Sequence, residues 1–511
     1  MLLFLNNHSG VDDWYPTISS CSAALLCHPC RIAQLAGPII VSQFMNFALN
    51  LVSVAFIGRL SEEKMAVAVL ATSMMSVTGF SVVMGLLGAM DTLCGQAWGA
   101  KNFRALGITL QKAVITTLAT TAAICVLWAN MEPLLLALGQ QEDIAAGAAR
   151  YLLLSTPALL LAGMFECLKR YLMAQGCVQP VTAVCSVALA LSPLFNWLLI
   201  FKLGLGIDGA VAAMVANNAT MLLLLVAYLV WHERRRIGTA EQTWHGWSRD
   251  CLQGLGTYYK LAVPSTLMVC LEWWAYELCI FMAGWLEQPT LHVSAMGVML
   301  QVSGLAYMLP MGLSCATSVR VSNALGAGLP HGARRSANTA TACTACTQLL
   351  LVAAILLGRH GIGALFTNIP EVVAMCAATF PLMSASMFGD GLNCTISGVL
   401  RGAGRQELGA LLNLGSYWGL GLPTAYLLAV KGGLELKGLW GGLILATSVQ
   451  VRAAGRAQIM LLYWTPGRLP SCAAPPGSCS MLAALLLGAL SDFHPACVAA
   501  PPCRAPSCSS S

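Results

Sequence analysis

The chain has 511 residues, of which 57% are hydrophobic and only 9% are charged, and its formal net charge is +6. Soluble proteins carry roughly 25% charged residues, so this composition excludes a soluble multidomain protein and indicates a polytopic membrane protein. The basic residues stand singly or in short clusters between apolar runs, so we predict no nucleic-acid-binding face.

Apolar runs bounded by charged residues, glycine or proline can be counted from residue 34 onward. Most approach or exceed the length of about 20 residues that a helix needs to cross a bilayer. We therefore predict an all-α polytopic membrane protein with twelve transmembrane helices. The predicted spans are 34–57, 66–89, 108–129, 144–166, 178–201, 209–231, 259–285, 291–314, 337–358, 372–399, 408–430 and 438–464.

The connections between these spans alternate in charge. Every second connection is rich in Lys and Arg, for example at Lys101 and Arg104, at Lys169 and Arg170, and at 234–236. By the positive-inside rule the rich connections are cytoplasmic, which places both termini in the cytoplasm. The pattern does not distinguish the plasma membrane from the vacuolar membrane.

An internal repeat divides the chain into two halves. Residues 84–86, Met-Gly-Leu, recur at 311–313, and Gly99-Ala100 recurs at the same offset of 227. Each half then has six spans, so both halves enter the membrane in the same orientation. We expect two six-helix lobes related by a pseudo-two-fold axis along the membrane normal, with a cleft between them.

The cations of 451–456 fall in the last span, where apolar residues are expected, and leave open whether the twelfth helix is intact, shortened or broken. The cysteines, including the CxxC pairs at Cys27 and Cys343, are interpreted as buried or unpaired thiols, and we predict no metal, cofactor or catalytic residue.

The predicted organisation of the chain has five parts. These are a cytoplasmic segment 1–31, an N-lobe 32–231, a cytoplasmic linker 232–257, a C-lobe 258–466 and a low-complexity tail 467–511.

Two acids, Glu272 and Glu277, lie inside the apolar run from Tyr258 to Trp285. A carboxylate at the bilayer centre costs roughly 2.5–3.5 kcal/mol on insertion scales, so an acid in a membrane span indicates a functional site facing a sheltered cavity. The two side chains point about 140° apart on a helix, and Tyr276 shares the face of Glu272 and could hydrogen-bond it. The alternative is that one acid is a structural partner of a backbone or tyrosine group.

A sheltered carboxyl group binds either a proton or an organic cation but not both, which is the minimum chemistry of an antiporter. Asp390, between two glycines in the tenth span, is the predicted second anchor, or alternatively a partner for helix packing. The polar residues of the other spans either line the cavity or hydrogen-bond neighbouring helices, and the sequence favours neither role. These candidates for the cavity are Tyr276, Gln43, Asn46, Asn50, Gln301 and Asn196, and the predicted gating and lobe-packing residues are Gln96, Arg320 and Asn323.

Four stretches give the chain a family resemblance: 91–101 (DTLCGQAWGAK), 260–277 (KLAVPSTLMVCLEWWAYE), 318–328 (SVRVSNALGAG) and 397–404 (SGVLRGAG). Over about residues 32–450 the sequence resembles the multidrug and toxin extrusion (MATE) transporters, specifically their eukaryotic, plant-like branch. The resemblance implies twelve helices in two lobes and cation-driven efflux of organic solutes, usually in exchange for protons. Ser53 stands where prokaryotic members carry an aspartate, which favours a mechanism centred on the seventh helix.

Three functions remain open at this point. The first is a proton-coupled antiporter that exports organic cations or amphipathic metabolites, working as a monomer in the bilayer, with sodium as the weaker alternative for the coupling ion. The second is efflux of organic anions, such as carboxylates or flavonoid conjugates, by the same fold. The third, a polytopic membrane enzyme or lipid flippase, is disfavoured because the eight histidines are isolated from one another and from aspartates at catalytic spacing.

Overall fold

The structure, a computed structural model, describes residues 21–137 and 139–463, with side chains from 32 to 460 apart from 62 and 138. The predicted tail 467–511 and residues 1–20 of the predicted N-terminal segment lie outside the described residues. Every described element is a helix or a connection, and the helices form twelve successive rods in which α-helical and π-helical pieces that continue one another are counted together.

The first six rods form the N-lobe. The second rod runs through a π-helical piece, and the fourth is bent by 43° at Ser155. A short helix, Met131–Ala137, lies between the third and fourth rods. The rods are α1 (Cys21–Ile57), α2 (Glu62–Met75, Ser76–Phe80 and Ser81–Gly99), α3 (Phe103–Ala129), α4 (Glu142–Leu154 and Thr156–Ala174), α5 (Gln179–Asn196 and Trp197–Lys202) and α6 (Gly206–Arg234).

The other six rods form the C-lobe. Three of them begin at a proline, a residue whose missing N–H costs nothing in the first turn of a helix. The rods are α7 (Leu255–Ala283), α8 (Pro289–Gly326), α9 (Pro330–Ile362), α10 (Pro370–Gly402), α11 (Gln406–Asn413, Leu414–Gly421, Leu422–Tyr426 and Leu427–Lys431) and α12 (Glu435–Tyr463).

The length of the rods agrees with a membrane fold of twelve spans. Among the described residues nine helices are long and apolar enough to cross a membrane, or ten if the bent α4 is one span. Of the remaining two rods, α11 is interrupted by π-helical pieces and α12 carries charged residues. Even so, α12 has 29 residues, which at 1.5 Å per residue is about 43 Å and exceeds the hydrocarbon thickness of a bilayer.

Each lobe has its own hydrophobic core. One cluster joins buried side chains of the N-lobe, from Leu49 to Leu225, and extends to Tyr258 and Ala262 at the start of α7. A separate cluster joins side chains of α7 to α12, from Ala275 to Ala446. The lobes meet along α1, α2, α7 and α8. Two independent cores with a contact surface between them confirm the predicted two-lobe fold.

The internal repeat also appears in the backbone. Lys101 and Gly328, which are 227 residues apart, both adopt a left-handed conformation just after α2 and α8 end. The fifth rods of the two lobes both finish in a π-helical piece, at Lys202 and at Lys431. The two halves therefore share local irregularities as well as helix order, as duplicated segments do.

The twelfth helix, whose integrity the sequence left open, is intact. Helix α12 continues without interruption through Arg452 and Arg456. Its Ala453 and Ala457 are buried against Ile396 of α10, whereas Arg452 is exposed. The helix is maintained because its small residues pack against the lobe and leave the cation of Arg452 on the outer side.

The assignment of Lys169 and Arg170 to a polar connection is wrong. Both residues lie within α4, with side chains only 10% and 11% exposed. Arg170 forms a salt bridge of 2.6 Å with Asp91 of α2, and Lys169 pairs with Glu166 on its own helix. Two cations can be buried here because two carboxylates compensate their charge, and a buried charge without a partner would be costly.

The segment 235–254 joins the lobes and is fastened to the N-lobe. The side-chain amide of Gln111 donates to the carbonyl of Gly246 at 2.7 Å and accepts from the N–H of Ser248 at 3.0 Å. We call the end of the molecule where this segment lies the linker end. Because successive rods are antiparallel and closely connected, α2, α4, α6, α8, α10 and α12 all finish at this end.

Candidate functional site

Glu272 lies near the middle of α7 and faces the interior of the C-lobe. Its side chain is buried, and the residue is only 7% exposed. The hydroxyl of Tyr307 on α8 donates to Oε1 at 3.0 Å, and Nδ2 of Asn413 on α11 lies 3.4 Å from Oε2. The carboxylate is thus held by neutral donors, and none of the salt bridges between described residues includes it.

Asp390 lies near the middle of α10 in the same lobe. It is also buried, and the hydroxyl of Tyr417 donates to its Oδ1 at 3.1 Å. The flanking glycines allow close helix packing, because a Cβ on Gly389 would lie 2.8 Å from the hydroxyl of Thr447 on α12. On α11, Tyr417 follows by four residues Asn413, whose amide lies against Glu272, so the structure brings two of the three predicted acids into one site.

A chain of amide side chains connects the helices that carry these acids. Asn413 donates to the carbonyl of Met268 at 2.7 Å and accepts from Nε2 of Gln450 on α12. Gln450 in turn accepts from Asn393 at 2.9 Å, one helical turn after Asp390. The amides fix α7, α10, α11 and α12 relative to one another around the acids, since a buried polar network must satisfy each member to be stable.

Sequence reasoning missed most of these partners. Tyr307, Asn413, Tyr417 and Gln450 were not predicted as site residues, although each is a polar or partly polar side chain inside an apolar span. That signal alone could have marked them as candidates. It would not have shown that they meet, because they come from three different helices.

Replacing Asn413 by leucine tests the structural role of the amide chain. Asn413→Leu leaves the Met268 carbonyl and the Gln450 amide without their partner, which costs about 1–3 kcal/mol for each buried unsatisfied group. We expect the midpoint of thermal unfolding of the detergent-solubilised protein to fall by several degrees. The control is Gln301→Leu, which removes an exposed amide and should leave the midpoint unchanged. Equal midpoints for the two variants would contradict the role of the network.

Of the other residues predicted on α7, Tyr276 lies beside Asp390 and Tyr417, whereas Glu277 lies apart from these contacts. Glu277 is partly exposed, and among the described residues it has neither a hydrogen bond nor a salt bridge. Tyr276 does not hydrogen-bond Glu272, although it follows one turn later. Its ring packs instead near the ring of Tyr417, with centroids 6.1 Å apart. Tyr307, on the neighbouring helix α8, donates the hydrogen bond to Glu272 that was expected from Tyr276.

The polar stripe of α1 lies in the N-lobe. Gln43 and Asn46 are half-buried, and Asn50 is exposed. The Oδ1 of Asn46 accepts from the thiol of Cys185 on α5 at 3.8 Å. This contact places Asn46 between two helices of the N-lobe, whereas the two buried acids belong to the C-lobe.

The two remaining cavity candidates are separated from each other. Asn196 is fully buried in the N-lobe, where its amide donates to the carbonyl of Ser192 at 2.9 Å. Asn217 of α6 donates to the hydroxyl of the same serine at 3.1 Å. Gln301 on α8 is exposed. Neither residue hydrogen-bonds to the network around Glu272.

Two of the three predicted gating residues lie where the lobes meet at the linker end. Nδ2 of Asn323 on α8 donates across the interface to the carbonyl of Ala174 on α4 at 3.1 Å. Close by, a Cβ on Gly326 would lie 2.2 Å from the carbonyl oxygen of Gln96 on α2. The third, Arg320, is 2% exposed and donates to the hydroxyl of Ser336 within the C-lobe.

Comparison with known proteins identifies the family. The family model MatE matches residues 38–198 and 264–427, which is more than half of the chain. The chain belongs to the MATE family. As a MATE protein it is a multidrug and toxin extrusion transporter and a multi-pass membrane protein, which confirms the resemblance seen in its sequence motifs.

Relatives and solved structures of this MATE protein agree with that assignment. It is 38% identical to Protein DETOXIFICATION 16 of Arabidopsis thaliana, over 83% of this chain and 86% of the relative. It is 36% identical to Multidrug and toxin extrusion protein 2 of Mus musculus, over 82% and 72%. The crystal structure of the eukaryotic MATE transporter AtDTX14 matches with a TM-score of 0.80 at 30% identity, over 91% of this chain and 99% of that one.

Proposed function

We propose that this MATE transporter is a secondary active antiporter that exports organic cations or amphipathic metabolites and xenobiotics in exchange for protons. The observation that carries the proposal is the pair Glu272 and Asp390, two buried carboxyl groups in one lobe without a salt bridge to a described residue. Glu277, which is partly exposed, and the polar residues of α1 and α8 are proposed as further contacts along the substrate path.

The chemistry of exchange follows from the surroundings of the two acids. Like charges close together in a low-dielectric interior repel, so the pair binds a cation or a proton more favourably than it carries two negative charges. A proton that arrives on one acid removes the charge that held a cationic solute and thereby favours its release. When the proton leaves, the site attracts the next cation.

Alternating access requires that the lobes can separate at one end. At the linker end they are joined by close helix packing at Gly326 and by single hydrogen bonds such as that of Asn323. No described disulfide crosses this contact. Such contacts are separable, which supports a rocking movement of the two lobes about the central site.

Ion gradients imposed across the membrane of proteoliposomes test which ion is coupled to transport. We expect an outward proton gradient (acidic lumen) alone to drive accumulation of a fluorescent organic cation at least about ten times faster than an outward sodium gradient alone, because a carboxyl pair held by neutral hydroxyl and amide donors binds a proton directly. The transport rate is measured with each gradient at the same membrane potential. Rapid uptake with sodium and none with protons would show that the antiporter is sodium-coupled.

Efflux of organic anions is the second candidate, and Arg401 is the residue that favours it. Its guanidinium group is buried on α10, donates from Nη2 to the hydroxyl of Ser314 at 2.9 Å, and has no described partner at Nε. A buried cation with a free donor is suited to hold a carboxylate. A substrate panel of matched cations and carboxylates in the same proteoliposomes separates the two possibilities.

The cellular setting is part of the same proposal. We place the transporter in the plasma or vacuolar membrane as a monomer, with both termini in the cytoplasm. The support is the concentration of cations such as Arg104 and 234–236 at the linker end, since an excess of Lys and Arg is typical of the cytoplasmic side.

A further inference from the structure

A surface cavity lies at the linker end, between the last turns of α6 and the segment 235–254. It has a volume of about 480 Å³. The apolar part of α6 finishes at Trp231, so the cavity sits where the helix leaves the membrane interior, at the level of the lipid head groups. The residues that line it are Val230, Glu233, Arg234, Ile237, Gln242, Trp244, His245 and Gly246.

The cavity has exposed cationic or hydrogen-bonding groups on its walls. Arg234 and His245 are both exposed, and neither has a side-chain hydrogen bond or a salt bridge within the part of the chain that the structure describes. Next to them, the guanidinium group of Arg235 stacks on the ring of Trp231 at 3.9 Å from its centroid. These groups are available to an anion without breaking an existing contact.

The acid among the lining residues, Glu233, has its oxygens turned away from a ligand in the cavity. Both oxygens of Glu233 are occupied by the protein, because Oε1 accepts from the hydroxyl of Thr243 at 2.7 Å and Oε2 accepts from the N–H of Trp244 at 3.2 Å. The carboxylate is therefore directed into the protein, where it holds the segment 235–254 against α6. Its charge stabilises the shape of the cavity.

Large apolar side chains stand beside the cations on the same segment. Ile237 is 67% exposed, Trp247 is 64% exposed and Leu252 is 60% exposed. The segment is not loose, because the two hydrogen bonds of Gln111 fix it to α3. Exposed apolar side chains next to arginines on a fixed surface are typical of elements that lie in the membrane interface, with the apolar groups in the acyl boundary and the cations among the phosphates.

We propose that this cavity binds the head group of an anionic phospholipid, with Arg234 and His245 contacting the phosphate and Trp247 and Ile237 contacting the upper acyl chain. Charge complementarity selects an anion, and the exposed apolar side chains select a lipid over a soluble phosphate. The lipid anchors the segment between the lobes to the bilayer. This inference does not depend on which substrate or ion the transporter carries.

Lipid binding to the purified full-length protein in detergent tests the proposal, with phosphatidylserine, phosphatidylcholine and inorganic phosphate as probes in native mass spectrometry and thermal-stability titrations. We expect phosphatidylserine to bind more tightly than phosphatidylcholine, and inorganic phosphate to give no stabilisation. Arg234→Ala should weaken phosphatidylserine binding about five-fold, since one interfacial cation contributes about 1 kcal/mol. Arg234→Lys should retain the binding.

Two further variants make the result decisive. Arg59→Ala removes an arginine that is also exposed, at the opposite end of the molecule, and should bind phosphatidylserine like the wild type. Trp247→Ala should weaken binding of the lipid. Equal phosphatidylserine affinity in Arg234→Ala and Arg59→Ala would overturn the proposal. Stabilisation by inorganic phosphate as strong as by the lipid would also overturn it, because the cavity would then be a site for soluble anions.

Discussion

Glu272→Gln should reduce proton-driven efflux to below about one hundredth of the wild-type rate while leaving expression intact. Glutamine keeps the shape of the side chain and can still accept the hydrogen bond from Tyr307. What it loses is the charge that attracts a cation and the oxygen that takes up a proton. Loss of a buried charged partner typically costs 2–5 kcal/mol, or about 30- to several-thousand-fold in binding.

The measurement is uptake of an organic cation into proteoliposomes with an imposed pH gradient. The matched control is Glu287→Gln, which removes an exposed carboxylate just beyond the end of α7 and should transport at the wild-type rate. Asp390→Asn should also be strongly impaired, because its carboxyl group belongs to the same pair. Transport by Glu272→Gln at the wild-type rate would refute the antiport mechanism proposed for these acids.

Gly326→Ala should reduce transport about ten- to a hundred-fold by preventing the lobes from closing at the linker end. The new Cβ would lie 2.2 Å from the carbonyl oxygen and 2.7 Å from the Cα of Gln96, and backbone atoms cannot move aside as a flexible side chain can. Overpacking of this kind costs about 1–3 kcal/mol. Since the clash is between lobes, separation of the lobes relieves it without unfolding either one.

Hydrogen–deuterium exchange distinguishes this shift from simple unfolding. In Gly326→Ala the amides at the ends of α2 and α8, near Gln96 and Asn323, should exchange faster, while those of the lobe cores should remain protected. Gly256→Ala is the control, because a Cβ there has no heavy atom within 4 Å. Uniformly faster exchange throughout the C-lobe, or unchanged transport, would contradict a closing contact at Gly326.

The positions of the acids followed from sequence, but their surroundings did not. Glu272 and Asp390 were predicted because a charge in an apolar span is costly and therefore rare, a property that can be read from a single residue and its neighbours. Tyr307 and Asn413 are 35 and 141 residues from Glu272 along the chain. Only the packing of separate helices decides that these two, and not the nearby Tyr276, donate to its carboxylate.

The amino-acid sequence by itself determined the class of the protein, the order of its spans, the duplication of its lobes and its family. Hydrophobic run length and repeated motifs are local properties of the chain, and the bilayer converts them directly into helices. Tertiary structure alone decided that Lys169 and Arg170 are buried beside acids, that α12 continues past Arg452, and that amides link the helices around Glu272. Those outcomes depend on which side chains face one another across helix contacts, and no pattern within one helix specifies its neighbour.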